Sequence, residues 1–143
     1  MPSAPIAEDP TPPRRHAVII VLRDGARLLA IRRAPGVPRP GYWCPPGGGI
    51  EPGESAAEAV VREAREEIGL AVHAVREVWT TTSDDGTWTL HWWLAARTGG
   101  ELAPDPREVA ETRWVTADEF LALAPIFDAH RPFFLAVWPS LPD

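Results

Sequence analysis

The chain has 143 residues, 45% of them apolar, with 14 Lys and Arg against 20 Asp and Glu and a net charge of −6. That is enough chain for one domain with a proper core, and it excludes a disordered polypeptide. The acidic balance argues against broad binding to nucleic acid or anionic membranes, and no apolar run reaches the ~18 residues of a membrane span.

Residues 1–14 read as a disordered proline-rich tail, lacking the apolar and basic regions of a secretory signal, so the domain is expected over 15–143. One cysteine, Cys44, permits no internal disulfide and suits a reducing cytoplasm. Between Trp43 and Pro45 it reads as a buried structural thiol. Residues 16–22 (HAVIIVL) are β-branched and apolar, as in a buried strand, and Asp24-Gly25 signals a hairpin into a return strand over 27–33. Arg32 and Arg33 end that strand on opposite faces, so one of them should face a cleft. Residues 34–41 form a proline-rich loop in which Arg39 reads as surface, though it could reach a ligand. A short strand over 42–44 leads into Gly47, Gly48 and Gly49, a turn where backbone groups can approach a ligand closely. Ile50-Glu51 can make a brief strand, and Pro52-Gly53 a turn.

Ser55 with Glu58 forms a capping box, and Gly69 fits a left-handed helix end, which predicts a helix over 56–68. Ala57, Val60, Val61, Ala64 and Ile68 should form its packed face. Glu63, Glu66 and Glu67 follow i, i+3, i+4 spacing and should share a different face, with Arg62 and Arg65 pointing away from that ridge. Like charges so placed repel by about 0.2–0.5 kcal/mol per pair. A solvated acidic face is the plain reading. The alternative is a site for Mg²⁺ or Mn²⁺, which favour carboxylate and water ligands. Glu54 and Arg62 could pair and brace the helix against the loop.

Beyond the helix, strands are expected over 72–82 and 87–96, joined by a turn at Asp84-Asp85-Gly86. Trp88 and Trp92 should share one face of this hairpin and Trp93 the other. A base stacked on such a tryptophan would gain ~1–3 kcal/mol, set against ordinary core packing. A tryptophan-rich hairpin could also make a homodimer contact. A turn at Thr98-Gly99-Gly100 and a loop over 101–107 precede a strand over 111–115. Thr116 and Glu119 form a second capping box for a helix through Leu123, and a last helix is expected over 128–138. His16, His73, His91 and His130 show no ligand spacing, so no zinc site is expected.

The stretch from Gly48 to Leu70 resembles the signature of the Nudix hydrolase family. The match rests on Gly48, Glu54, Arg62, Glu63, Ala64, Glu66, Glu67, Gly69 and Leu70. The resemblance implies an α/β (α+β) fold, a Nudix-type αβα sandwich with a mixed sheet between helices. It implies a Mg²⁺- or Mn²⁺-dependent enzyme that cleaves the diphosphate linkage of a nucleoside diphosphate joined to another group, with a nucleoside triphosphate preferred. Its partner would be a small-molecule nucleotide, with neither nucleic acid nor membrane. Glu63, Glu66, Glu67, the Gly47 carbonyl and Glu108 would hold metal, with Glu111 the rival of Glu108. One of the carboxylates would take the proton of the attacking water. Arg62, paired with Glu54, would orient the acids. Arg33 would bind phosphate, and Trp88 and His130 would line the base site. Small bacterial Nudix enzymes that read oxidised guanine place an asparagine where this chain places His130, which argues against that base. An ADP-ribose or nucleotide-sugar pyrophosphatase and a nucleotide-sensing domain without turnover are the alternatives.

Overall fold

A computed structural model describes residues 15–142; the proline-rich stretch over 1–14 lies outside the described residues. Seven strands and two α-helices alternate in the order β1 (Arg15–Asp24), β2 (Arg27–Arg33), β3 (Trp43–Cys44), β4 (Gly47–Gly49), α1 (Ala56–Ile68), β5 (Leu70–Thr82), β6 (Trp88–Gly100), β7 (Val109–Thr116) and α2 (Ala117–Leu121). The sheet runs β3-β2-β1-β6-β5, with β4 added to β1 and β7 to β2. It is mixed: β1 and β6 are parallel, and the other pairs are antiparallel. Among the described residues no helix is long and apolar enough to cross a membrane.

Why β1 is apolar throughout follows from its position. Val18, Ile20 and Leu22 pack under α1, while Ala17, Ile19 and Val21 pack on the opposite face. A strand covered on both sides loses the polar alternation of a half-exposed one. The second face is closed by Phe120 of α2 and by Phe133, Phe134 and Trp138. Trp92 lies in this core, stacked on Phe133 at 4.3 Å between ring centroids. Trp88 packs on the same side and Trp93 on the α1 side, so the hairpin alternates as expected.

Four local expectations need correction. Ile50-Glu51 is not a strand; Gly47–Gly49 is, because its backbone zips to Ala17, Val18 and Ile19 of β1. Thr98-Gly99-Gly100 does not turn but extends β6, paired with Leu70 and Ala71. α2 stops at Leu121 rather than Leu123. The last helix is no regular α-helix: a 3₁₀ turn at Asp128–His130, a wide turn at Phe133–Val137 and a second 3₁₀ turn at Trp138–Ser140 replace it. Pro132 has no N–H to give, so a regular ladder cannot run through it.

Candidate active site

α1 begins and ends as its sequence predicts. Ser55 and Glu58 close the capping box, and Gly69 takes φ +75°. The faces of the helix are rotated from expectation, however. Ala59, Val60, Ala64, Glu67 and Ile68 are buried, whereas Val61 is 39% exposed and Ala57 is half-buried. Glu67 lies seven residues after Val60 and three after Ala64, so it falls on the packed stripe. The three acids therefore do not share one solvated ridge. Glu67 is buried, Glu63 half-buried and Glu66 exposed.

Arg62 does not point away from these acids but ties them together. Its Nε and Nη2 donate to the two carboxylate oxygens of Glu54 at 2.7 and 2.9 Å, a bidentate fork. Nη1 donates to Glu63 at 2.8 Å and to Glu66 at 3.1 Å, and Nη2 also reaches the Gly49 carbonyl at 2.9 Å. The hydrogen bonds from Arg62 hold the Glu54 carboxyl down at about 2. One guanidinium thus joins the loop before the helix, the helix and the glycine strand. The Gly49 carbonyl is a partner that sequence reading missed, because glycine spacing says nothing about which carbonyl faces the helix. Arg65 stays exposed.

Among the described residues no cation pairs directly with Glu67, and only the charge of Arg33 reaches it. Its Oε1 accepts the Gly47 N–H at 2.8 Å, and the side chain reaches into the cleft beside Gly47 and Gly48. Burial, with lesser contributions from the charges of Glu63 and Glu108, pushes its carboxyl up to about 8. Glu63 is raised in the same direction by burial, against the pull of Arg62. Glu108 is exposed, yet its charge is felt at both acids. Glu111 is engaged elsewhere, with Arg32 at 3.3 Å and Arg113 at 2.8 Å. Among the described residues no three acid, His or Cys side chains close into a ready-made metal cage. A buried carboxylate with no direct ion pair, which feels the charges of two more carboxylates, nonetheless fits a hard divalent ion. Glu63, Glu66, Glu67 and Glu108 are the side chains that could hold one, with the backbone of Gly47 beside them.

The glycines matter through space. A Cβ at Gly48 would collide with the Glu63 carboxylate, and one at Gly47 with the Val18 carbonyl. The side chain of Glu63 can swing, whereas the β1 backbone cannot. Gly48→Ala is therefore expected to keep the fold, with a melting temperature within a few degrees of the parent. Its turnover should fall by about 10²-fold as Glu63 leaves its place. Gly47→Ala should instead destabilise the protein, visible as a lowered denaturation midpoint.

A cleft of about 340 Å³ opens beside Glu67. Arg33, Trp88 and His130 all line it, so the three residues named as ligand contacts share one cavity with a helix acid. As neighbours on a strand, Arg32 and Arg33 take opposite faces of β2: Arg32 pairs with Glu111, while Arg33 lines the cleft. Trp88 is half-buried, with Arg15 over its ring at 5.7 Å. His130 is buried against Phe127 and the edge of Trp92. Burial holds its imidazole down at about 4, so it is neutral. Cys44 also borders the cleft, and burial pushes its thiol up to about 12, too high for a nucleophile. Ser83, Asp84 and Asp85 of the β5–β6 turn form part of the wall; their sequence announced only a hairpin. A larger open depression of about 1230 Å³, around Arg23, Arg76 and Trp138, contains none of the helix acids.

The chain is similar to several known proteins. Residues 12–137 match the NUDIX domain family. The NAD-capped RNA hydrolase NudC of Stutzerimonas stutzeri is 32% identical over 111 residues, spanning 78% of this chain and 40% of that protein. A putative 8-oxo-dGTP diphosphatase of Bacillus subtilis is 34% identical over 100 residues, spanning 70% of this chain and 64% of that protein. The chain thus spans less than two thirds of either relative. Among solved structures, the E. coli ORF135 protein superposes with a TM-score of 0.72 at 26% identity, covering 86% of this chain and 87% of that one. The MutT protein from Methanosarcina mazei Go1 gives 0.74 at 23% identity, over 86% and 91% of the two chains, which supports the fold.

Proposed function

Because the chain belongs to the NUDIX domain family, we propose that it is a Mg²⁺- or Mn²⁺-dependent pyrophosphohydrolase. Its substrate would be a nucleoside diphosphate linked to another group, with a nucleoside triphosphate preferred. The observation that carries this reading is the buried carboxylate of Glu67, which makes no ion pair among the described residues and opens onto a cleft that also holds Arg33 and Trp88. Divalent ions bound there would activate water and neutralise phosphate oxygens.

The chain's own residues have separable tasks. Glu63, Glu66 and Glu67, with Glu108, gather negative charge where phosphate oxygens must be bridged to protein. One of these carboxylates takes the proton from the attacking water; burial raises both Glu67 and Glu63 above the ordinary carboxylate range, which favours their protonated forms. Arg62 does not touch substrate, since Glu54, Glu63, Glu66 and Gly49 use its donors. Arg33 reaches the cleft as the cation for a phosphate, and Trp88 offers an indole to a base. The volume suits a nucleotide-sized ligand, near the lower end of the roughly 300–1,000 Å³ of small-molecule sites. NAD-capped RNA, 8-oxo-dGTP, ADP-ribose and UDP-linked compounds in the names of similar proteins all contain a diphosphate bridge. That shared bond is the one assigned here.

A nucleotide panel tests the reading. Nucleoside triphosphates, dinucleotides and nucleotide sugars are incubated with Mg²⁺ or Mn²⁺, and the products are resolved by chromatography. The expected result is metal-dependent release of a nucleoside monophosphate, abolished by chelator. Binding of nucleotide without turnover of any compound would favour a sensing domain instead.

A further inference from the structure

Arg39 is held where a side chain is unwelcome. Its φ is +54°, the left-handed region that favours glycine. It also precedes Pro40, whose ring disfavours helical backbone at the residue before it. The turn itself uses only the backbone of Arg39, whose carbonyl accepts the Tyr42 N–H at 3.3 Å. The side chain is exposed, and its guanidinium stands 5.9 Å from the Tyr42 ring, so it contributes little to the core. A glycine would build this turn with less strain. An arginine at such a position points to a task for its side chain.

The surroundings identify that task. Arg39 lines the same cleft as Glu67 and Arg33. Its loop is pinned there, because Arg33 Nε donates to the carbonyl of the preceding Pro38 at 2.6 Å. Asp85 of the β5–β6 turn lines the cleft as well. Oδ1 of Asp85 accepts the Ser83 hydroxyl at 2.8 Å and the Thr87 N–H at 2.9 Å. The Thr87 N–H chiefly holds that carboxyl below its ordinary range, and the charge of Arg39 adds to the effect. The two opposite charges therefore feel each other without forming a direct ion pair.

Resting on the nucleotide reading above, we propose that Arg39 is a substrate-binding residue for the anionic chain of the ligand, with Asp85 as the opposite charge on the same cleft. An entering phosphate competes with Asp85 for the guanidinium, whose planar fork suits phosphate oxygens. The more negative the outer group of the substrate, the more this exchange favours binding. Arg39 thus selects a terminal phosphate over a neutral sugar.

Steady-state kinetics of Arg39→Gly, Arg39→Lys and Asp85→Asn test this, with one nucleoside triphosphate and one nucleotide sugar as substrates. For Arg39→Gly, KM for the triphosphate should rise about tenfold, the size of one charge-assisted hydrogen bond. Its kcat should stay within about twofold, and KM for the nucleotide sugar should change by less than about threefold, because the shared diphosphate keeps its other contacts. Arg39→Lys should recover part of the loss. Asp85→Asn should lower KM for the triphosphate, and that gain should vanish when Arg39→Gly is added. The melting temperature of Arg39→Gly should equal or exceed that of the parent, since strain is relieved. An unchanged KM in Arg39→Gly, or an equal rise for both substrates, overturns the proposal. Calorimetric titration with inorganic tripolyphosphate decides separately from turnover: should no nucleotide be hydrolysed, weaker binding to Arg39→Gly still supports the anion site. Equal binding refutes it.

Discussion

Glu67→Gln is expected to lower turnover by roughly 10³-fold or more, because it removes both a charge and a proton acceptor from the centre of the acid cluster. The fold should survive and even gain. Gln keeps an acceptor for the Gly47 N–H that Glu67 binds at 2.8 Å, without burying a charge. The sign of the pH effect follows from the direction of the shift. Glu67 is held at about 8 in the folded protein, above the ordinary carboxylate value of 4.5. The folded state therefore retains a proton that the unfolded state gives up. Its stabilising contribution is complete below pH ~4.5 and is lost as pH rises toward ~8. For metal-free parent protein that loss is on the order of 4 kcal/mol. The midpoint of denaturation should accordingly fall between pH 5 and 8 in the parent and much less in Glu67→Gln. Addition of Mg²⁺ should restore the parent at pH 8 and leave the variant where it was. Denaturation curves at three pH values, with and without metal, read all of this.

Arg62→Ala should damage stability more than any other single change in the site. Its side chain is only 21% exposed and that of Glu54 only 14%, so the pair is largely shielded from solvent. Removing the guanidinium strips the partner from Glu54 and frees Glu63 and Glu66 to repel each other. Loss of one partner of a buried pair costs roughly 3–5 kcal/mol, and partial exposure places this case near 3. Arg62→Lys keeps the charge but not the fork, and should recover less than about half of that loss. A double-mutant cycle with Glu54→Gln should show a coupling of about 2 kcal/mol. Turnover should fall in Arg62→Ala as well, because Glu63 loses the contact that aims it. Additive effects of Arg62→Ala and Glu54→Gln on chemical denaturation would show that the fork contributes nothing.

Much of this site was legible because its signals are local. Ser55, Glu58 and Gly69 set the ends of α1 by hydrogen bonds spanning a few residues, and the helix forms over the expected residues. Arg33, Trp88 and His130 were each assigned to ligand, and one cleft gathers them. What escaped sequence reading depends on partners distant in the chain. Glu67 looked like one of three solvated acids, yet packing of α1 on β1 turns it inward, and a rotation of one residue in the apolar stripe decides that. Arg62 was read as pointing away from the ridge, but the fork to Glu54 swings it across. Gly47–Gly49 carries no strand propensity; β1 imposes the strand by pairing with it. Asp85 announced a hairpin and nothing more, because only the folded sheet brings the β5–β6 turn up to the loop over 34–41.

We propose that a divalent cation joins Arg62 in holding the carboxylates of α1 together. Anomalous scattering from crystals soaked in Mn²⁺ tests it most directly. A peak is expected between Glu63, Glu66 and Glu67, beside Gly47, and should disappear in Glu67→Gln. Ordered acids with no peak among them would contradict it, as would a peak that persists in the variant.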